Sequence, residues 1–413
     1  MKEMNYRHGL IVSSIILILV SIAYSKLYCI GFSNPDDDWM LFYNPLVKDA
    51  SLSCSYFKVL FLSKNGAQYS PINTLYYALI FKINEFDPYY YHIFSFIFHV
   101  ANGFIIYKIS YRLLNDFQVD QTNSISLITT LLWLVSPVNV ESVVWVSASK
   151  VVLFTFFSLL SFWEYLAYIK NGNKVRLILC MLYFIMAFLC KEQAVLLPII
   201  LFLYIMSLRK FRGENINWRD KLFLLFLFIV MFFLSVTAIN ISGQGFSTMS
   251  KYPFIQRLLL SFYCLYFYIS STLIPIDLHF HYPFPMKVGE IIPTLYYIFP
   301  ILFIVIMYNV YHVLRSKRMN WFYFFCASAY IVNIGVCLQI VPLNRNAITA
   351  DRYTYLPSFF FYLLIFTAIL QWLRSLRTRT NYYLVLCLFT IYLIYFISYS
   401  NILVLNWNKI SIK

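Results

Sequence analysis

"GLIVSSIILILVSIAYSKLYCIGFSNPDDDWMLFYNPL", residues 9–46, runs from an apolar stretch straight into three adjacent aspartates. The apolar part is long enough to cross a hydrocarbon core, which takes about 20 residues as a helix. Its centre, Leu10 to Ala23, already sits at the long limit for a secretory signal and continues apolar beyond it, so an uncleaved anchor is expected. Three neighbouring carboxylates repel one another unless a cation or a shared proton relieves them. The cluster therefore marks a point where the chain leaves the membrane and meets a partner.

The rest of the chain repeats the first half of that pattern. Of 413 residues, 61% are hydrophobic and 12% charged, and the mean hydropathy of +0.70 lies outside the range of a soluble domain. Apolar segments recur at 8–30, 89–113, 124–139, 148–169, 175–190, 193–208, 221–241, 291–313, 320–341, 354–373 and 381–404. The expected fold is an all-α polytopic membrane protein of about eleven transmembrane helices, one unit over 1–413 with no soluble domain. Segments 124–139, 175–190 and 193–208 are short for a span and must borrow flanking residues or sit in a thin part of the bundle.

Lys and Arg in short loops mark the cytoplasmic side. With Lys2 and Arg7 inside, alternate connections place Lys108 and Arg112, Lys170, Lys174 and Arg176, the cluster Arg209 to Lys221, Arg315 to Arg318, and Arg374 to Arg379 inside as well. The segment 257–274 would break this order if it crossed, so it is read as lying on the outer leaflet within an extracytoplasmic, interfacial stretch, 242–290. The net charge of +15 is then a topology signal and a fit to anionic lipid headgroups, and nucleic acid is not an expected partner.

The acids gather on the opposite side: eleven of the seventeen, including Asp36, Asp37, Asp38, Glu141, Glu192 and Asp351, fall in outer loops. The first of these loops, 31–88, is far longer than a helix connector needs to be. Its pieces 54–63 and 71–84 read as interfacial helices. Cys29 and Cys54 are both placed outside, where they are free to pair, and no CxxC, HExxH, phosphate-binding loop or dinucleotide fingerprint occurs.

Within the second span, His92, Ser95, His99 and Asn102 share one helical face. Such a stripe must meet protein or water. Interhelical hydrogen bonding is the expected role of His99 and Asn102, while His92, nearer the outer surface, is the better candidate for a substrate contact. Three outer segments, 136–150, 190–198 and 344–358, carry charge at membrane depth. Glu141 with Lys150, Lys191 with Glu192, and Arg345 with Asp351 and Arg352 must pair or bind something there.

The order of these motifs resembles the GT-C glycosyltransferases, in particular the membrane half of the transmembrane and tetratricopeptide-repeat O-mannosyltransferases and their bacterial relatives. The resemblance rests on Gly31, Phe32, Asn34, Asp36, Asp37 and Asn44-Pro45-Leu46 in the first loop; on Pro88, Tyr91, His92, His99 and Asn102; on Pro137, Glu141, Ser142, Val143, Trp145, Val146, Ser147, Lys150 and Leu153; on "CKEQ" at 190–193; and on "ADRYTYLP" at 350–357. Ser136 and Asn139 stand where the pattern has histidines, Ser149 where it often has arginine, and Val151 where it has an acid. The 34-residue repeats of the fuller relatives are not expected within these 413 residues.

The resemblance implies a helical bundle that takes sugar from a polyprenyl-phosphate donor on the outer face and transfers it, with inversion, to a hydroxyl of a protein, lipid or glycan. Asp36 or Asp37 would serve as the base. Lys150, Lys191, Arg345 and Arg352 would meet the departing phosphate, and Glu141 would orient the acceptor or, with the aspartates, hold a divalent cation. His92, Glu192, Asp351 and Tyr353 complete the expected substrate-binding set. The resemblance also points to a bacterial cytoplasmic membrane with the site facing outward. A transporter or flippase for lipid-linked sugar, or an inactive relative that binds it, are the alternatives, although transporters usually carry internal repeats and none is evident here.

Overall fold

The computed structural model describes residues 6–32, 36–51, 53–62, 69–242, 252–314, 320–340, 347–376 and 379–410. The chain opens with α1 (Tyr6–Ala23). A π-helical turn at Asp38–Phe42 and three short helices follow, α2 (Pro45–Lys48), α3 (Cys54–Leu62) and α4 (Pro71–Asn84). Next come α5 (Pro88–Asp116), α6 (Thr122–Val135), α7 (Val140–Val144), α8 (Ser149–Asn171), α9 (Lys174–Cys190), α10 (Leu197–Arg212) and α11 (Trp218–Ser242). The remainder is α12 (Phe254–Leu273), α13 (Ile298–Leu314), α14 (Asn320–Gly335), α15 (Pro357–Leu376) and α16 (Arg379–Ile410).

Six of the described helical segments are long and apolar enough to cross a membrane: Pro88–Asp116, Val146–Asn171, Glu192–Arg212, Trp218–Thr237, Pro357–Arg374 and Tyr383–Trp407. The chain is thus helical and built to pass a membrane several times. A seventh crossing would join α6 to residues 137–144 across a 53° bend. Pro137 causes that bend: it forces Ser136 into an extended conformation, φ −66° and ψ 126°, which ends the preceding helix. Each of the eleven expected segments contains a helix, as do 54–63 and 71–84; the interfacial candidate 257–274 forms α12.

Local chemistry sets several boundaries. Asp87 caps α5 by accepting the Tyr89 amide at 3.0 Å, and Pro88 occupies its first turn. Gly172, at φ +66°, closes α8, and the Asn173 side chain caps α9. This two-residue connection folds α8 and α9 into an antiparallel hairpin, the most extensive helix pair in the bundle. At Gly103 the backbones of α5 and α6 approach so closely that a Cβ would lie 2.6 Å from a Leu134 methyl.

The first loop builds its own small apolar cluster, in which Met40, Leu41, Val47, Tyr77, Ile80 and Tyr91 pack with Val146. This packing holds the aspartate segment against the start of α8. Two strands, β1 (Tyr282–Pro283) and β2 (Ala347–Thr349), pair antiparallel with Tyr282 opposite Thr349. The pairing ties the 275–290 stretch to the residues just before α15. The eight cysteines form no disulfide, so Cys29 and Cys54 are not joined.

Candidate functional site

The three aspartates have separate surroundings. Asp37 is fully buried at the start of the π-helical turn; its Oδ1 accepts the Ser147 amide at 3.0 Å and a short bond from the Ser147 hydroxyl. Asp36 is half-buried and accepts the Trp39 indole N–H at 3.1 Å, while Asp38 accepts the Trp39 amide at 2.7 Å. Only one carboxylate of the trio therefore turns into the bundle.

Around Asp37 lies a buried polar group. The Tyr77 hydroxyl donates to the Val146 carbonyl at 2.7 Å, and the single Ser149 O–H is shared between the Tyr77 oxygen at 2.9 Å and Asn73 Oδ1 at 3.2 Å. Burial pushes the Tyr77 phenol well above its ordinary value, with the Asp37 charge adding to the rise. Ser149 thus anchors α4 to α8. Lys150, one residue on, brings Nζ to 3.9 Å from the Met40 sulfur, alongside the aspartate segment.

Six residues before Ser147, Glu141 is buried in α7 and meets Arg352 from the turn at Asp351–Thr354. Its Oε1 takes a short ion pair from Arg352 Nη1, and its Oε2 accepts the Arg352 amide at 2.7 Å. The guanidinium also lies 5.0 Å from the Trp145 ring centroid and 5.2 Å from that of Tyr353. Lys191, itself buried, brings Nζ to 5.3 Å from the centroid of the same Tyr353 ring and 5.7 Å from that of Phe154. Glu141 thus pairs across loops with Arg352, because the β1–β2 ribbon and α7 bring the two together.

Asp351 accepts the Tyr282 hydroxyl at 3.0 and 3.1 Å. Burial, then the adjacent Glu141 charge, push its carboxyl well above the usual carboxylate range, against the lowering effects of the Tyr282 hydrogen bond and Arg352. One carboxylate beside Arg352 is thus paired and its neighbour is held toward the neutral acid.

The polar stripe of α5 divides in two. His99 shares a 2.7 Å hydrogen bond between Nδ1 and the Tyr355 hydroxyl and a 2.9 Å contact from Nε2 to the Leu134 carbonyl. Asn102 donates to the Val152 carbonyl at 3.0 Å and to Tyr355 at 3.3 Å, so both residues bolt α5, α6 and α8 to the 351–356 turn. His92 places Nε2 3.3 Å from the Gly31 carbonyl, beside the first loop. Ser136 and Asn139 are likewise structural: Ser136 bonds Tyr362 at 2.7 Å, and Asn139 donates to the Trp133 carbonyl at 2.8 Å.

One of the expected site residues stands apart. Glu192 is exposed in the 3-10 turn Glu192–Leu196, where it is Gln193 that turns inward and donates to the Asn333 carbonyl at 2.9 Å. Arg345 lies outside the described residues. Tyr77 and Tyr282 belong to the site and were not singled out by sequence, while Ser147 and Trp145 were named there only as motif residues with no role; in a chain with 36 tyrosines, nothing marks one tyrosine from the next.

Asp36, Asp37 and Glu141, the residues expected to hold a divalent cation, are not gathered into one ligand cluster among the described residues. Both Glu141 oxygens are engaged by Arg352 and Asp37 Oδ1 by Ser147, and no group of three His, Cys, Asp or Glu ligands occurs among the described residues. Comparison with known families finds no model that the chain matches, and comparison with curated proteins finds no matching sequence. The arrangement itself offers a buried carboxylate on one end of the 141–150 segment and a cationic, aromatic-lined corner on the other.

Proposed function

We propose that the chain is a GT-C-type glycosyltransferase of eleven spans, working at the outer face of a bacterial cytoplasmic membrane on a polyprenyl-phosphate sugar. The observation that carries this reading is that Asp37, through Ser147, and Arg352, through Glu141, both meet one buried segment, 141–150, at the acidic end of the bundle. The ordered motifs of the sequence supply the family.

On this reading the acceptor oxygen attacks the anomeric carbon of the donor as the carbon–oxygen bond to phosphate breaks. The acceptor's proton passes to the Asp37 carboxylate, whose direction Ser147 fixes. Asp36, on the more open side of the same turn, is positioned to meet the acceptor first. The phosphate leaves with added negative charge, which Arg352, Lys191 and Lys150 are disposed to balance. Because Arg352 is already paired, the phosphate would compete with Glu141 for the guanidinium, whose remaining N–H groups suit a bidentate phosphate contact. Tyr353 and Trp145 offer flat faces beside those cations, and His92 holds the first loop close by.

The test is turnover in vesicles carrying the purified chain and a polyprenyl-phosphate hexose labelled in the sugar. Cleavage of the donor, with label on a hydroxyl acceptor, is expected. Movement of intact donor between leaflets would replace the enzyme with a flippase, and saturable binding without cleavage would make the chain a lipid-sugar binder.

A further inference from the structure

A concavity of about 220 Å³ opens at the far end of the bundle from the aspartates. It lies between the last turns of α5 and α8 and the first of α9, and is lined by Arg112, Trp163, Leu166, Ala167, Lys170 and Arg176. Since α8 runs 23 residues from Ser149 at the candidate site to Asn171 at this end, the two places are separated by roughly 35 Å at about 1.5 Å per residue. The concavity belongs to the basic end and takes no part in the chemistry proposed above.

Its charges do not cancel. Arg112 is held by Asp116 through Nε at 2.9 Å, and Arg176 by Glu164 through Nη1 at 2.8 and 3.1 Å. Each guanidinium keeps further N–H groups for a second acceptor, since arginine carries five. Lys170 is exposed at the rim, and Lys108 reaches the wall residue Trp163, its Nζ 5.9 Å from that ring and 4.4 Å from Phe104. Arg212 also approaches Asp116, at 3.9 Å. Three cations on the lining, Arg112, Lys170 and Arg176, thus face two carboxylates, Asp116 and Glu164, with Lys108 and Arg212 nearby.

The walls are two-sided in chemistry. Leu166, Ala167 and the Trp163 ring form an apolar surface, and the cations stand at its edge. A free anion in water uses only the edge. A headgroup phosphate with acyl chains attached uses both, and an indole at such a boundary is the residue that suits a membrane interface. Basic pockets between spans on the cytoplasmic side favour anionic lipid headgroups for the same reason.

We infer that this concavity is a binding site for the headgroup of an anionic phospholipid, with the phosphate between Lys170, Arg112 and Arg176 and the acyl chains leaving along Trp163. The test is native mass spectrometry of the full chain in detergent, titrated with phosphatidylglycerol, phosphatidylcholine or inorganic phosphate. Phosphatidylglycerol is expected to bind more tightly than phosphatidylcholine. The exposed, fold-neutral change Lys170→Gln should weaken it about fivefold, and Lys108→Gln with Lys170→Gln about 25-fold, as one lost lysine charge near an anionic surface implies. Lys210→Gln, an exposed change elsewhere at the same end, should leave it unaltered. Equal weakening by Lys210→Gln would mean diffuse surface charge and overturn the site; inorganic phosphate binding as tightly as the lipid would overturn the lipid as its source. None of these readouts involves sugar transfer, so the inference stands or falls apart from the proposed function.

Discussion

Replacing Arg352 with glutamine and Glu141 with glutamine should not cost the same, although the two side chains form one ion pair. Their side chains are 16% and 3% exposed, so the pair is largely removed from water. Loss of Arg352 leaves Glu141 charged and buried with Asp351 beside it, and an uncompensated buried charge costs about 3–5 kcal/mol. Loss of the Glu141 charge is gentler. Glutamine keeps an oxygen for the Arg352 amide, so one charge-assisted hydrogen bond is lost, about 1.5–3 kcal/mol. It also removes the Glu141 charge, the second cause after burial of the raised Asp351 carboxyl, which makes Asp351 a better partial counter-charge for Arg352. Unfolding in detergent, followed by the melting midpoint and by denaturant titration, should therefore rank Arg352→Gln well below Glu141→Gln. Adding Asp351→Asn to Glu141→Gln should remove the compensation and deepen the loss. Equal costs, or the reverse order, would show that Asp351 is not coupled to the pair and that the described electrostatics are wrong.

Asp351→Asn on its own tests the same corner by pH. The folded chain holds the Asp351 proton to higher pH than the unfolded chain, where a carboxyl titrates near about 3.9. Native stability gained from this proton is therefore full below that value and is lost as pH rises through the higher folded value. The wild type should lose melting midpoint relative to Asp351→Asn between pH 4 and neutrality, and a gain over that window would contradict the raised carboxyl. In the bundle, Gly103→Ala should cost about 1–3 kcal/mol by overpacking against buried Leu134. Adding Leu134→Ala should then cost less than in the Gly103 background, as a double-mutant cycle would reveal; simple additivity would mean the α5–α6 approach is not tight there.

Much of the fold could be read from hydropathy because spanning a membrane imposes length and apolarity on each helix. Boundaries were less legible. The expected segment 124–139 stops at Val135 because of Pro137, and 8–30 gives way after Ala23 to a 3-10 turn at Leu27–Cys29. At the site, a charge in an outer loop was visible but its partner was not, since the partner depends on tertiary closure. Glu141 and Arg352 are 211 positions apart, and nothing local in either loop distinguishes that pair from the within-loop alternatives. Likewise the "CKEQ" segment shows four polar or small residues in a row, but only the phase of its 3-10 turn decides that Gln193 turns in and Glu192 out. Tyr282 reaches Asp351 through a two-strand pairing too short to leave a pattern of alternation.

The most direct measurement is the rate of polyprenyl-phosphate release from a polyprenyl-phosphate hexose by the wild type and by Asp37→Asn, side by side, with both shown to fold by the same melting profile. If Asp37 takes the acceptor's proton, the rate falls by at least about 100-fold, the lower bound for losing a positioned general base, while donor binding persists. Equal release by the two proteins would remove Asp37 from the chemistry and the candidate site with it.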